Sequence, residues 1–414
     1  MQDDDHGGRG EEVEEETAEW GRDYEGITRQ KVVHRILLLL PAKSLLRFRC
    51  VSRQWNGIIS SNSFVHAHAA APRLVSGLLY QSSQGTVAYA AFCHATASLP
   101  DPSLSFLPEP VVVKASARGL LCCRGRFSLI YYVCNPATAV WVSLPQPRNL
   151  HNCDTEVVLM IDEPPRSNRV SEFRVVCAFP QVVRLDHFCG LETFSTDEWR
   201  WVTSPWTPRL GRLLPGSGVV VGGRACWRTT TNTVLMYDPK DEERLGFERP
   251  ERDLDGVTWW EIGVIEGQLS VAYAKVASTP ESSTMVEVMV TDSDSWYLRG
   301  AFGFGPGSRE NNLKPLRMEG DEELLLWDGQ RHILGRDMAG RATRLLVVDA
   351  PATFSVEFVP YTATLLHVKS DTCKELHFGD QKPIRRRFHF RPRAALNGYS
   401  NEKAFGLVQA LAVA

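Results

Sequence analysis

One unit recurs along most of this 414-residue chain: an apolar run of strand length, a short polar turn, then a second run. Four copies are plain: YYVCNPATAVWVSLP (131–145), LETFSTDEWRWVTSP (191–205), VLMYDPKDEERLGF (234–247) and VEVMVTDSDSWYLRG (286–300). A weaker one is RHILGRDMAGRATRLLVVD (331–349). Their turn residues Asn135, Ser195, Asp238, Asp292 and Asp337 stand 60, 43, 54 and 45 positions apart. Such spacing suits the four-stranded blade of a β-propeller, with loops of differing length between blades. Ahead of several copies a Gly precedes apolar residues, in RGLLCCRG (118–125), GVVVGGRACW (218–227) and IEGQLSVAYA (265–274). These read as the first half of a blade, with glycine letting an inner strand run close to its neighbours at the hub. The tryptophans then pack blade on blade from outer strands, and residues 354–370 supply the last strands that close the ring.

A different pattern precedes the repeats. Between Ile27 and Phe64 the apolar residues take helical spacing, with Val32, Val33, Ile36, Leu37 and Leu40 on one face. Pro41 lacks an N–H and its ring clashes with the preceding turn, so it stops that helix. Leu45, Leu46, Phe48 and Val51 follow, with Arg47 and Arg49 between them. Val51, Trp55, Ile58 and Ile59 form a third set, with Ser52 placed to cap it. Three short helices cannot bury this much apolar surface among themselves. Some of it must meet another protein or the rest of the chain.

Leu40-Pro41, the run LLRFRCVSRQW (Leu45 to Trp55) and Phe64 together resemble the F-box, the docking module of substrate-recognition subunits in SCF-type ubiquitin ligases. The resemblance implies that Val33, Ile36, Leu37, Leu40, Pro41, Leu45, Leu46, Val51 and Trp55 clamp a Skp-type adaptor, and through it a cullin. The opening Leu-Pro of that family stands here as Ile27-Thr28. Proline there only pre-organises the first turn, so its absence loosens the helix start without abolishing docking. The alternative is an ordinary helical hairpin packed on its own domain. The phrases GLLCC, YYVCNPATAVWVSLP and LETFSTDEWRW are similar to those of the F-box-associated domain of plant F-box proteins, whose blades resemble kelch repeats.

Composition removes several other classes. No apolar run reaches the eighteen or so residues of a membrane span, and MQDDDHGGRGEEVEEE has no signal-peptide order. Ten cysteines at irregular spacing do not read as a disulfide framework, which points to the reducing cytosol or nucleus. No Cys-x-x-Cys, P-loop, G-x-S-x-G or H-E-x-x-H occurs. His66-x-His68 and His187-x-Cys189 lack a second ligand pair. The glycine-rich stretch 300–308 reads as a turn, and Asp321-Glu322-Glu323 as a solvated loop. No metal, cofactor or catalytic residue is therefore expected.

The expected organisation is multidomain, α plus all-β. An acidic disordered leader (1–25) precedes an F-box of three short helices (26–70). A β-propeller-like domain of six or seven blades follows (75–380), then a basic strand and C-terminal tail (381–414). The expected function is a non-catalytic ligase subunit holding an unidentified protein target, with neither membrane nor nucleic acid as partner. Two alternatives stand beside it. One is a propeller enzyme acting on sugars or glycans. The other is a regulatory binding protein working outside the ligase, with the basic stretch 382–393 as a polyanion-binding or nuclear-import patch.

Overall fold

Pro41 divides the first two helices. A computed structural model places α1 over residues 33–39 and α2 over Ala42–Phe48, with Pro41 extended between them. The structure describes residues 33–368 except the short segments 72–74, 82–84, 93–98, 163–171, 184–185, 209–210, 242–244, 249, 251–256, 277–283, 293–294, 305–312, 319–322, 340–341, 348–349 and 351–356. The acidic leader, Ile27-Thr28 and the basic stretch 382–393 with the tail lie outside the described residues. Helix α3 spans Arg53–Ser60 and α4 spans Asn62–Ala70. Ser52 caps α3 by accepting the Trp55 N–H at 3.1 Å, the role its position predicts. Among the described residues the helices number four rather than three. Ser61 interrupts the run after α3, bonding the Ile58 carbonyl at 2.7 Å and accepting the Phe64 N–H at 3.3 Å.

The strands form six sheets, which settles the blade count at six. Strands β1 (Gly77–Gln81) and β2 (Val87–Ala91) open the domain. The second blade is β3 (Val111–Ala117), β4 (Leu120–Gly125), β5 (Tyr131–Asn135) and β6 (Val140–Ser143). The third is β7 (Glu156–Ile161), β8 (Phe173–Val183), β9 (Asp186–Ser195) and β10 (Arg200–Pro208). The fourth comprises β11 (Val219–Val221), β12 (Arg224–Arg228), β13 (Val234–Tyr237) and β14 (Leu245–Glu248). The fifth comprises β15 (Val257–Ile265), β16 (Gln268–Val276), β17 (Thr284–Asp292) and β18 (Ser295–Phe304). The sixth holds β19 (Lys314–Pro315), β20 (Glu323–Trp327), β21 (Ile333–Asp337) and β22 (Thr343–Val347). Last comes β23 (Phe358–Tyr361), which pairs antiparallel with β1, so the first and the last strand share the first blade. First strands of successive blades lie side by side, β3 with β7, β7 with β11, β11 with β15 and β15 with β19, while β23 adjoins β3.

The recurring turn residues sit where the repeat places them. Asn135, Ser195, Asp292 and Asp337 each end the third strand of a blade and Asp238 directly follows one, at the turn into the fourth strand. The reason is local. Side-chain oxygens of Asn135, Asp238 and Asp337 accept the N–H two residues on at 2.9 Å, and Ser195 does so at 3.3 Å. Gly218 keeps the close approach expected at the hub, since a Cβ there would come 2.6 Å from Val158 and 2.9 Å from the Val157 carbonyl of β7, but Gly119, Gly222, Gly223 and Gly267 have another role. They close two-residue turns between first and second strands, at Arg118-Gly119, Gly222-Gly223 and Glu266-Gly267, where both residues have positive φ. Such turns match the twist of a hairpin. Tryptophans are not confined to outer strands either: Trp227 lies on β12, Trp260 on β15 and Trp327 on β20, all buried. Gly300–Phe304 continue β18 instead of turning, because their alternate residues Phe302 and Phe304 fill the core between blades. Glu323 begins β20 and pairs with Arg344 at 2.8 Å, so it too is strand and not loop.

Strand direction alternates within a blade. Hairpins one–two and three–four therefore open on one face of the ring, here the lower face. Hairpins two–three and the links between blades open on the upper face.

Candidate functional site

The helical module has its own interior. Leu37, Ala42, Leu45, Ile59, Phe64 and Val65 are all buried within one core. His68 of α4 donates from Nε2 to the Leu40 carbonyl at 3.0 Å and ties the last helix to the end of the first. Against that core the nine residues expected to dock an adaptor separate into three groups. Ile36 and Val51 stand 54% and 64% exposed. Val33, Leu40, Pro41, Leu46 and Trp55 are half-buried, with Trp55 edge-on to Phe48 at 5.2 Å. Leu37 and Leu45 face inward at 1% and 0%, so neither offers surface and both support the helices from within. Helical spacing sees one apolar stripe and cannot say which half of it the neighbouring helices cover. One exposed residue escaped that reading. Leu39 is 80% exposed, three positions from Ile36 on the same helix, a signal the i, i+3 spacing carries.

A strap binds this module to the lower face of the ring. Residues 362–368 leave β23 and run beneath the second blade. The Thr364 hydroxyl donates to the Arg118 carbonyl at 2.6 Å in the β3–β4 turn. Buried Asn135, in the β5–β6 turn, donates from Nδ2 to the carbonyls of Thr364 at 3.0 Å and Leu366 at 2.8 Å. Leu365, Leu366 and Val368 then pack in the same apolar core as Leu37, Leu45 and Phe64. Burial lowers the His367 pKa, and the charges of Arg49 and His66 from the helical module lower it further. Helices and propeller thus share one hydrophobic core through the strap, and the exposed residues of α1 are held at a fixed place relative to the ring.

Charged side chains also meet inside the ring, where first strands converge. Lys114 of β3 approaches Glu156 of β7 at 3.9 Å, and Arg228 pairs with Glu261 of β15 at 2.8 Å. Arg317 donates to the Gly216 carbonyl, while the Gly216 N–H donates to Glu156 at 2.8 Å. Burial pushes the Glu156 carboxyl up to about 7, against the opposing pull of Lys114. Glu156 and Glu261 each have a cation beside them, so these pairs join neighbouring strands of the ring. A second acidic group, Asp162, Glu172 and Asp197, has carboxylate oxygens within 4.8 Å of one another. Arg174 bonds Asp162 and lies 3.6 Å from Asp197, with Lys240 3.8 Å from Asp162, so cations already neutralise it. Among the described residues no helix is long and apolar enough to cross a membrane.

Residues 30–66 match the F-box domain family. An F-box protein of Arabidopsis thaliana is 31% identical over 120 residues, 28% of this chain and 33% of that one. A second F-box protein of that plant is 27% identical over 50% of this chain and 54% of its own length. An F-box/kelch-repeat protein, also from Arabidopsis thaliana, is 26% identical over 60% of this chain and 72% of its own. The chain therefore spans about a third to a half of the first two relatives and more of the third. Matched residues, relatives and blade order converge: this chain carries an N-terminal F-box domain followed by a six-bladed β-propeller.

Proposed function

We propose that this protein is the substrate-recognition subunit of an SCF-type ubiquitin ligase, with the F-box holding a Skp-type adaptor and the propeller holding a target protein. The observation that carries the reading is an F-box packed on the ring that still exposes apolar side chains. Its buried residues join the strap and the lower face of the ring in one core, while Ile36, Leu39 and Val51 remain exposed. Exposed apolar side chains on a fully packed helical module are the expected form of an unfilled interface. Leu40, Pro41, Leu46, Val33 and Trp55 border that surface, and Leu37 and Leu45 hold it in shape from behind. The mechanism is tethering. A target fixed to a propeller that is itself fixed to the F-box has its lysines presented to a ubiquitin-charged enzyme at high effective concentration. The chain needs no catalytic residue for this. The reducing cytosol or nucleus is the proposed setting, in keeping with the scattered cysteines.

Calorimetric titration of the purified chain with a Skp-type adaptor tests the reading. Truncating a central apolar anchor removes about 2 kcal/mol or more of binding, so Ile36→Ser with Leu39→Ser should weaken affinity at least tenfold with an unchanged melting temperature. Trp55→Ala with Leu46→Ala should weaken it as well. Undiminished binding in both double variants would remove the docking assignment.

A further inference from the structure

Two loops on the upper face hold apolar side chains out into solvent on rigid supports. The first is the turn between β4 and β5. Phe127 there is 81% exposed, and Leu129 is exposed in the left-handed region at φ 58°. This turn is not loose. The Glu109 carboxylate accepts the N–H groups of Phe127 at 2.8 Å and Ser128 at 3.1 Å, the Tyr132 hydroxyl at 2.8 Å and the Ser128 hydroxyl. Burial pushes the Glu109 carboxyl up, but these bonds prevail and hold it below the ordinary range.

The second loop links β6 to β7, where Leu150 is 83% exposed. Its backbone is fixed by buried Glu192, which accepts from Arg148 N at 2.7 Å, Asn149 N at 3.2 Å and His151 Nε2 at 3.2 Å. His151 Nδ1 accepts in turn from the Tyr131 hydroxyl at 3.0 Å. Arg124, three residues before Phe127, donates to the carbonyls of His151 and Asn152 and joins the two loops. Exposed Arg126 and Arg148 flank the three apolar side chains, and no carboxylate pairs with either among the described residues. The Arg126 guanidinium lies over Gly85 in the neighbouring β1–β2 hairpin, on the same face.

Exposed bulky apolar side chains on preordered backbone lose little entropy on binding, and unpaired arginines beside them select negative charge. We propose that this upper rim of the second and third blades docks a polypeptide segment bearing a bulky apolar residue beside acidic residues. The inference deepens the ligase reading, since this surface would be its recognition arm. It lies on the face opposite the F-box, so target and adaptor do not compete for space.

The test uses the full chain and three fluorescent synthetic nonapeptides: Phe and Leu among Asp and Glu, the same with Lys for the acids, and the same with Ala for the apolar residues. Anisotropy should show the acidic–apolar peptide binding at least tenfold more tightly than the other two, and more weakly as salt rises. Phe127→Ser with Leu150→Ser should reduce that binding at least tenfold. Arg126→Glu with Arg148→Glu should turn the preference toward the Lys peptide, a gain that misfolding cannot mimic. Equal binding of all three peptides, binding of none, or variants that behave as wild type would overturn the proposal. So would a self-association in sedimentation that Phe127→Ser abolishes, which would make the rim a contact between copies. Adaptor titration on the same variants keeps the two readings apart. Peptide binding with no adaptor binding sinks the ligase assignment alone, and the reverse sinks the recognition surface alone.

Discussion

Glu156 opens β7 with its carboxyl buried among Lys114, Arg317, Glu357 and the Gly216 N–H. Its folded pKa of about 7 lies above the ordinary 4.5. The folded state therefore binds a proton there that the unfolded state has already released. That contribution to stability is complete below pH 4.5 and is lost as pH rises through 7. The full shift corresponds to roughly 3 kcal/mol. Glu156→Gln should accordingly gain on wild type by about 2 kcal/mol between pH 5 and pH 8 in denaturant titrations. A difference that stays flat across that range would contradict the assignment. Asn135 offers another case. Asn135→Ala leaves the buried carbonyls of Thr364 and Leu366 without their donor, at a cost of about 2 to 4 kcal/mol in unfolding free energy. Its turn position is readable from the repeat, yet its partners are not, because they lie 229 and 231 residues further along the chain. Gly119 behaves alike. A Cβ there would overlap Thr364 Oγ1 and come 2.8 Å from the Thr362 carbonyl, at a φ of 84°.

Helices and hairpins are more legible than single contacts, because their causes are local. Pro41 ends α1 for want of an N–H, Ser52 caps α3, and the Asn/Asp/Ser turns bond their own backbone two residues on. These effects operate over four residues and need no knowledge of the fold. The misreadings arose where tertiary packing overrode a local cue. Gly300 and Gly303 suggest a turn, but Phe302 and Phe304 gain more by filling the core of β18. The glycines at 119, 223 and 267 suggest close packing at a hub, whereas the hairpin twist explains them. Strand β23 is short, with Pro360 inside it, and only its pairing with β1 makes it a strand. Ending the chain after residue 356 should therefore remove the first blade's inner strand and the strap together. Circular dichroism of that truncation should show non-cooperative melting or insolubility, while a chain ended after residue 371 should melt cooperatively like wild type.

Across the molecule the two faces of the ring differ in what they carry. The lower face takes the strap and the F-box, which leaves Ile36, Leu39 and Val51 outward. The upper face carries the fixed loops around Phe127 and Leu150. Because the strap merges two cores into one, Leu366→Ser should loosen the F-box from the ring without unfolding either. Limited proteolysis should then cut between residues 71 and 77 faster than in wild type, and unchanged cleavage would mean the strap does not couple them. Periodicity, proline and turn chemistry were enough to read four-stranded blades and a helical module ahead of them. Those properties depend on neighbours a few residues apart. Which apolar residues of the module point inward, how many blades close the ring, and which loops share a face with which depend on contacts hundreds of residues apart. Such contacts exist only once the chain has folded back on its own beginning, and they decide what surface is left for a partner.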